Sequence, residues 1–81
     1  AQYWLGECYY ALDEYGRAID AFRKVINFAD TNKADAAQFK IGYSYLNSGD
    51  KARGYDELER LLDMYPESSL REKVKQILAS R

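Results

Sequence analysis

Slid along itself by 36 positions, the chain matches its own sequence without a gap. Ala1 falls on Ala37, Gln2 on Gln38, Gly6 on Gly42, Tyr9 on Tyr45, Arg17 on Arg53 and Asp20 on Asp56. Similar residues fill the intervals: Leu5 with Ile41, Cys8 with Ser44, Phe22 with Leu58, Val25 with Leu61. A second shift carries Ile41 onto Ile77 and Ser44 onto Ser80, so the chain holds two repeats and half of a third. A fixed period of this length means stacked supersecondary units, each burying on its neighbours an apolar face that it cannot bury alone.

Each repeat reads as a helical pair, over residues 1–32 and 33–66, with a capping helix over 68–80. The first helix runs from about Ala1 to Leu12 and is broken by Asp13 and Glu14. The second runs from Tyr15 to Ala29, with Ala18, Phe22, Val25, Ile26 and Ala29 at helical spacing on one face. Across the loop Asp30 to Lys33, Asn32 with Asp35 has the spacing of a capping pair, placing helix three from Lys33 to Ser48. Gly49 supplies a left-handed stop and Asp50 caps helix four, Lys51 to Met64, which Pro66 ends. Ser69 with Glu72 spells a capping box for the last helix, whose Leu70, Val74, Ile77 and Leu78 share one face. The fold class is therefore all-α: five helices in a solenoid of two helix-turn-helix repeats and a cap. Gly6 and Gly42 sit in mid-helix, at about 1 kcal/mol relative to alanine. That cost, repeated in register, predicts a close approach by the second helix of each pair through Ala18 or Gly54, with Tyr9 and Tyr45 filling the space beside it.

Composition removes most functional classes. With 81 residues, 31% charged and net −1, the chain has no basic stripe for phosphates, which argues against nucleic acid. No apolar run approaches the roughly 20 residues of a membrane-spanning helix. There is no histidine and one cysteine, so no triad, disulfide or zinc cage is predicted, and no cofactor or metal. Cys8 shares its slot with Ser44, which predicts a small packing residue. The stretch Asp56 to Arg60 reads as a solvated helix face. Apolar periodicity already runs at Ala1, so the chain reads as a piece of a longer protein.

Leu5-Gly6, Tyr9, Tyr15, Ala18, Phe22 and Val25, repeated as Ile41-Gly42, Tyr45, Gly49-Asp50, Leu58, Leu61 and Pro66, resemble a tetratricopeptide repeat (TPR). That resemblance implies a right-handed solenoid that binds proteins rather than an enzyme. A narrower likeness lies in Gln2-Tyr3-Trp4-Leu5-Gly6-Glu7, Tyr9-Tyr10, Ala18-Ile19, Ala21-Phe22, Lys40-Ile41-Gly42-Tyr43-Ser44 and Tyr65-Pro66-Glu67-Ser68. These stretches resemble the C-terminal TPR domain of the Tol–Pal-associated periplasmic proteins, the YbgF or CpoB type. That likeness implies a periplasmic adaptor that binds a TolA-like partner and coordinates envelope constriction during cell division. The alternative is a generic bacterial TPR scaffold, or an outer-membrane lipoprotein carrying the repeats. Lys51 stands where this family has an aromatic residue and Gly54 where it has alanine, which predicts a looser second repeat.

In such a stack the first helix of each pair lines the inner surface. Helical spacing puts Tyr3, Glu7 and Tyr10 there from helix one, and Phe39, Tyr43, Leu46 and Asn47 from helix three. Rings give large contact area at low entropic cost and suit a protein or peptide ligand. A stack of two units and a cap also predicts self-association through the N-terminal helix, where Tyr3 and Trp4 lack a neighbour.

Overall fold

A computed structural model of the chain describes residues 2–28 and 32–81. Five helices follow in order: α1 Gln2–Ala11, α2 Tyr15–Phe28, α3 Ala34–Ser48, α4 Lys51–Met64 and α5 Arg71–Ala79. Helix four has the bounds its sequence signals gave. The limits read at Ala1 and Ala29, and the loop residues Asp30 and Thr31, lie outside the described residues.

The breaks have local causes. Asp13 adopts φ 60°, a left-handed turn that reverses the chain between α1 and α2, and its carboxylate accepts a hydrogen bond from the Tyr15 hydroxyl at 2.9 Å. Gly49 takes φ 97° and its N–H closes on the Leu46 and Tyr45 carbonyls, the left-handed cap read from the sequence. Asp50 then caps α4 by accepting from the Arg53 N–H at 3.2 Å. The other two capping signals are not used. Lys33 stands at the N-cap of α3 with no side-chain cap bond, and Asp35 accepts instead from the Ala36 N–H at 2.9 Å. Ser69 and Glu72 form no capping box, because α5 starts later, after Leu70. Ser68 takes that part: its hydroxyl accepts from the Leu70 N–H at 3.0 Å and donates to Asp35, tying the last turn to the start of α3.

Each helix packs chiefly on its sequence neighbours, as a solenoid requires, and α3 lies between α2 and α4. Two core clusters result. Ala18, Ile19, Phe22, Val25, Ala37 and Ile41 make the first, and Phe39, Leu58, Leu61 and Val74 the second. Val74, with Leu70, Ile77 and Leu78 half-buried beside it, makes α5 a cap with one buried side.

The mid-helix glycines do admit the second helix of each pair, through Gly54 in repeat two as read from the sequence and beside Phe22 in repeat one. A Cβ on Gly6 would lie 2.6 Å from the Phe22 ring, so in repeat one a large side chain stands nearest the gap. In repeat two a Cβ on Gly42 would meet Leu58 Cδ2 at 2.7 Å and the Gly54 carbonyl at 3.3 Å. Gly54 is equally enclosed, by Leu46 at 2.6 Å and the Gly42 carbonyl at 3.1 Å. The two glycines let the backbones of α3 and α4 approach, so the second repeat is not looser at this point.

Candidate functional site

Helices α1 and α3 lie with one face each along the same surface, and α5 continues it. The side chain that joins the first two is Lys40. Its ammonium sits 3.4 Å from the Glu7 carboxylate and 4.6 Å above the Tyr10 ring. Two turns on, the Asn47 side-chain amide donates to the Tyr10 hydroxyl at 2.6 Å. Tyr10 also meets Tyr15 edge-on, with centroids 5.7 Å apart. Tyr10 is thus held from three sides, yet as an acceptor from Asn47 its hydroxyl keeps its own proton for an incoming carbonyl or carboxylate. The Lys40 ammonium likewise has more donors than Glu7 uses.

Towards the start of the helices, Tyr3 packs edge-on against Phe22 at 5.5 Å and against Trp4 at 6.1 Å, with the Lys33 ammonium 5.2 Å from its ring. Burial pushes the Tyr3 phenol above its ordinary pKa, and the charges of Glu7 and Asp35 add to that. On α3, Tyr43 is half-buried and meets Phe39 at right angles, 4.8 Å between centroids. Lys73 of α5 stands 5.9 Å from the Phe39 ring and carries the surface onto the third helix.

The seven residues read from the sequence therefore divide. Tyr3, Glu7, Tyr10, Tyr43 and Asn47 share this surface and keep exposed or half-exposed side chains. Phe39 does not: it is buried in the second core cluster, since the same face of α3 must also receive α5. Leu46 turns toward α4 and fills the space over Gly54. Sequence reading missed Lys40, because nothing in its spacing tells a rim lysine from a solvated one.

A second polar assembly sits on the opposite side of α3. Gln38 donates to both the main-chain carbonyl and the carboxylate of Glu57, at 2.7 and 2.8 Å, and Arg23 reaches the same carboxylate at 2.8 Å. Arg23 also donates to the Tyr45 hydroxyl at 3.5 Å. Burial alone would raise the Glu57 carboxyl, but the hydrogen bonds from Arg23 and Gln38 outweigh it and hold the group below its ordinary range. The same bonds raise Arg23 against the effect of burial. Glu57 is thus buried within a stretch that reads as a solvated face; Asp56, Glu59 and Arg60 are exposed as expected. This clamp binds α2, α3 and α4 together, and only its Arg23 end stays partly open to solvent.

A cleft of about 360 Å³ lies between the α2–α3 and α4–α5 connections, lined by Asn32, Asp35, Tyr65, Pro66, Glu67 and Ser68. Asp35 is already engaged there by Ser68 and the Ala36 N–H. Among the described residues no group of three histidine, cysteine or carboxylate side chains could hold a metal ion. Among the described residues, every resolved shift in proton affinity moves a group's pKa further from neutral pH: Tyr3, Tyr15, Tyr65 and Arg23 upward, Glu57 downward. Acid–base chemistry at neutral pH needs the opposite.

Two family models, each described as a tetratricopeptide repeat, match the chain, one over residues 1–32 and the other over 36–68. They divide it where the 36-residue self-match does. The chain is a tetratricopeptide repeat protein. No curated protein matches it. TPR units are protein-interaction modules, and in this one the rim of Lys40, Tyr10 and Asn47 lies where the first helices of successive repeats meet. Among the described residues, no helix of this TPR chain is long and apolar enough to cross a membrane.

Proposed function

We propose that this TPR unit holds an extended segment of a partner protein across α1 and α3, through Tyr3, Glu7, Tyr10, Tyr43, Asn47 and Lys40. The observation that carries the reading is the joint between the two helices: Lys40 set on both Glu7 and Tyr10, with Asn47 bonded to Tyr10. Preorganised aromatic and polar groups lower the entropic cost of binding. A peptide laid there finds ring faces for its side chains and directed donors for its carbonyls.

The partner we propose is a TolA-like envelope protein, with the chain acting as a periplasmic adaptor of the Tol–Pal-associated type. What supports this is the run Gln2-Tyr3-Trp4-Leu5-Gly6-Glu7 with Tyr9-Tyr10, together with Lys40-Ile41-Gly42-Tyr43-Ser44 and Tyr65-Pro66-Glu67-Ser68. A titration of the chain with a TolA-like domain tests both levels. Binding is expected, with Tyr10→Ala and Tyr43→Ala each weakening it about tenfold or more, or roughly 1.4 kcal/mol, at unchanged helicity. No binding by the folded chain rejects the TolA-like partner. Binding that both variants leave intact rejects the α1–α3 surface.

A further inference from the structure

The Arg23 end of the clamp opens into a second cleft, on the side of α3 away from the α1–α3 surface. The cleft lies between α2 and α4, is about 140 Å³ in volume, and is lined by Arg23, Ile26, Asn27, Gln38, Arg60 and Met64. Its charged lining consists of two guanidinium groups. The carboxylate that answers them, Glu57, is buried, bonded to Arg23 and Gln38, and also feels the charge of Arg60. Two positive groups thus share one carboxylate. Among the described residues the cleft keeps an excess of positive charge, in a chain of net −1.

Each arginine has donors to spare. Both hydrogen bonds of Arg23 leave from Nη2, to Glu57 at 2.8 Å and to Tyr45 at 3.5 Å. A guanidinium has further N–H donors on Nε and Nη1, and those of Arg23 are left over, on a side chain 37% exposed. The bond to Glu57 fixes the direction of the guanidinium in advance of any ligand. Arg60 is exposed. The other exposed arginines, Arg17, Arg53 and Arg81, each hold a carboxylate, from Glu14, Asp50 and Glu59. Arg60 makes no ion pair among the described residues, although Asp56 and Asp63 stand a turn away on either side along α4. It borders the cleft instead.

The size and the neighbours of the cleft decide what it accepts. At about 140 Å³ it is well under the roughly 300 Å³ at which sites for small molecules and cofactors begin, yet it holds a single side chain. Guanidinium forks fit a planar carboxylate with paired N–H bonds. Ile26 is half-buried and Met64 is 54% exposed, and both flank the charged groups. A free anion gains nothing from such apolar neighbours. A protein segment with an apolar residue next to an acidic one uses both, and the apolar contact keeps water from the ion pair.

We infer that the α2–α4 cleft is a second docking site, which takes an aspartate or glutamate side chain of a partner protein between Arg60 and the open edge of Arg23, with an apolar neighbour of that residue on Met64 and Ile26. The site is separate from the α1–α3 surface and stands whether or not that surface binds a TolA-like partner. The chain then offers a binding face on each side of α3, which lets one pair of repeats join two proteins.

The test is an NMR titration of the isotope-labelled 81-residue chain. The probes are the capped peptide acetyl-Ala-Leu-Glu-Leu-Ala-amide, its twin with glutamine in place of glutamate, and inorganic phosphate. The glutamate peptide should shift the side-chain N–H signals of Arg23 and Arg60 and the amide of Asn27, and leave Tyr10, Tyr43 and Asn47 unmoved. The glutamine twin and phosphate should bind about tenfold more weakly or not at all. Arg60→Gln, at an exposed position, should weaken the glutamate peptide about tenfold at unchanged helicity. Arg60→Lys should weaken it by less, because the charge stays while the fork is lost. Tyr10→Ala, on the other surface, should leave it unchanged. Shifts confined to α1 and the inner side of α3 overturn the inference, and so does the absence of any shift. Equal binding of the glutamine twin, or an Arg60→Gln chain that binds as before, also overturns it. Phosphate that binds as tightly as the glutamate peptide reduces the cleft to a simple anion site and overturns the docking role.

Discussion

A methyl group added at Gly42 has nowhere to go. It would press to 2.7 Å on Leu58, itself fully buried, and to 3.3 Å on the Gly54 carbonyl, so neither neighbour can yield cheaply. Gly42→Ala should therefore lose about 1 to 3 kcal/mol by overpacking, despite the gain in helix propensity. Gly16 is the control, since a Cβ there meets nothing within 4 Å and α2 is helical at that point. Gly16→Ala should gain about 0.5 kcal/mol. Urea unfolding of the two variants gives opposite signs if the close approach of α3 and α4 is real, and equal signs if it is not. The need for both mid-helix glycines was legible in the sequence, because a repeated cost has a repeated cause. Which atom approaches was legible only in part: Gly54 does meet Gly42, but the Phe22 and Leu58 side chains come closer still. Phe22 and Leu58 are in register one helical turn beyond Ala18 and Gly54, and spacing alone does not tell which of the two turns carries the contact.

At the scale of elements, Glu57 has the largest consequence of any polar residue. It joins α4 to α2 through Arg23 and to α3 through Gln38. Its carboxyl is held below its ordinary range in the folded chain, so the unfolded chain binds more protons as the pH falls. The stability this supplies is complete above the unfolded carboxylate value of about 4.3, and it is lost as the pH drops through the lower folded value. Glu57→Gln should cost about 1 to 2 kcal/mol at pH 7, a figure limited by the partly open Arg23 end of the clamp. The gap between the two proteins should hold steady above about pH 5 and narrow as the pH is lowered through about 4.3 and below. A gap that stays constant on acidification, measured by thermal or urea unfolding, would show that the loss comes from packing. Helix bounds, by contrast, were open to sequence reading to within a residue or two, because Gly49, Asp50 and Pro66 act locally. The clamp was not, since its members lie 19 and 34 residues apart and Glu57 looks like any other member of a charged run. The α1–α3 surface falls between these cases. Helical spacing finds Tyr3, Glu7, Tyr10, Tyr43 and Asn47, while Phe39 and Leu46 are drawn into the core by α5 and α4, whose positions the spacing within α3 cannot encode.

Stability in a stacked array is a sum of unit stabilities and nearest-neighbour interfaces, so it need not be even along the molecule. Helix α3 is packed on both sides, and Ala37, Ile41 and Phe39 divide between the two core clusters. Helix α5 is packed on one side. It is 9 residues long, buries only Val74 fully, and starts at Leu70 without a side-chain cap on its first turn. A helix of that length has little stability of its own in water, so its order rests on Val74 and the half-buried Leu70, Ile77 and Leu78 against α4. The tie between Ser68 and Asp35 holds only its leading end. Native-state hydrogen exchange should therefore show α5 opening well below the free energy of global unfolding, with the amides of α3 protected to the full value. Ser68→Ala should lower the protection of α5 while leaving that of α3 almost unchanged, because the lost bond ties a turn and not a core. Equal protection of α3 and α5, with both falling together in Ser68→Ala, would mean that the cap and the two repeats unfold as one unit.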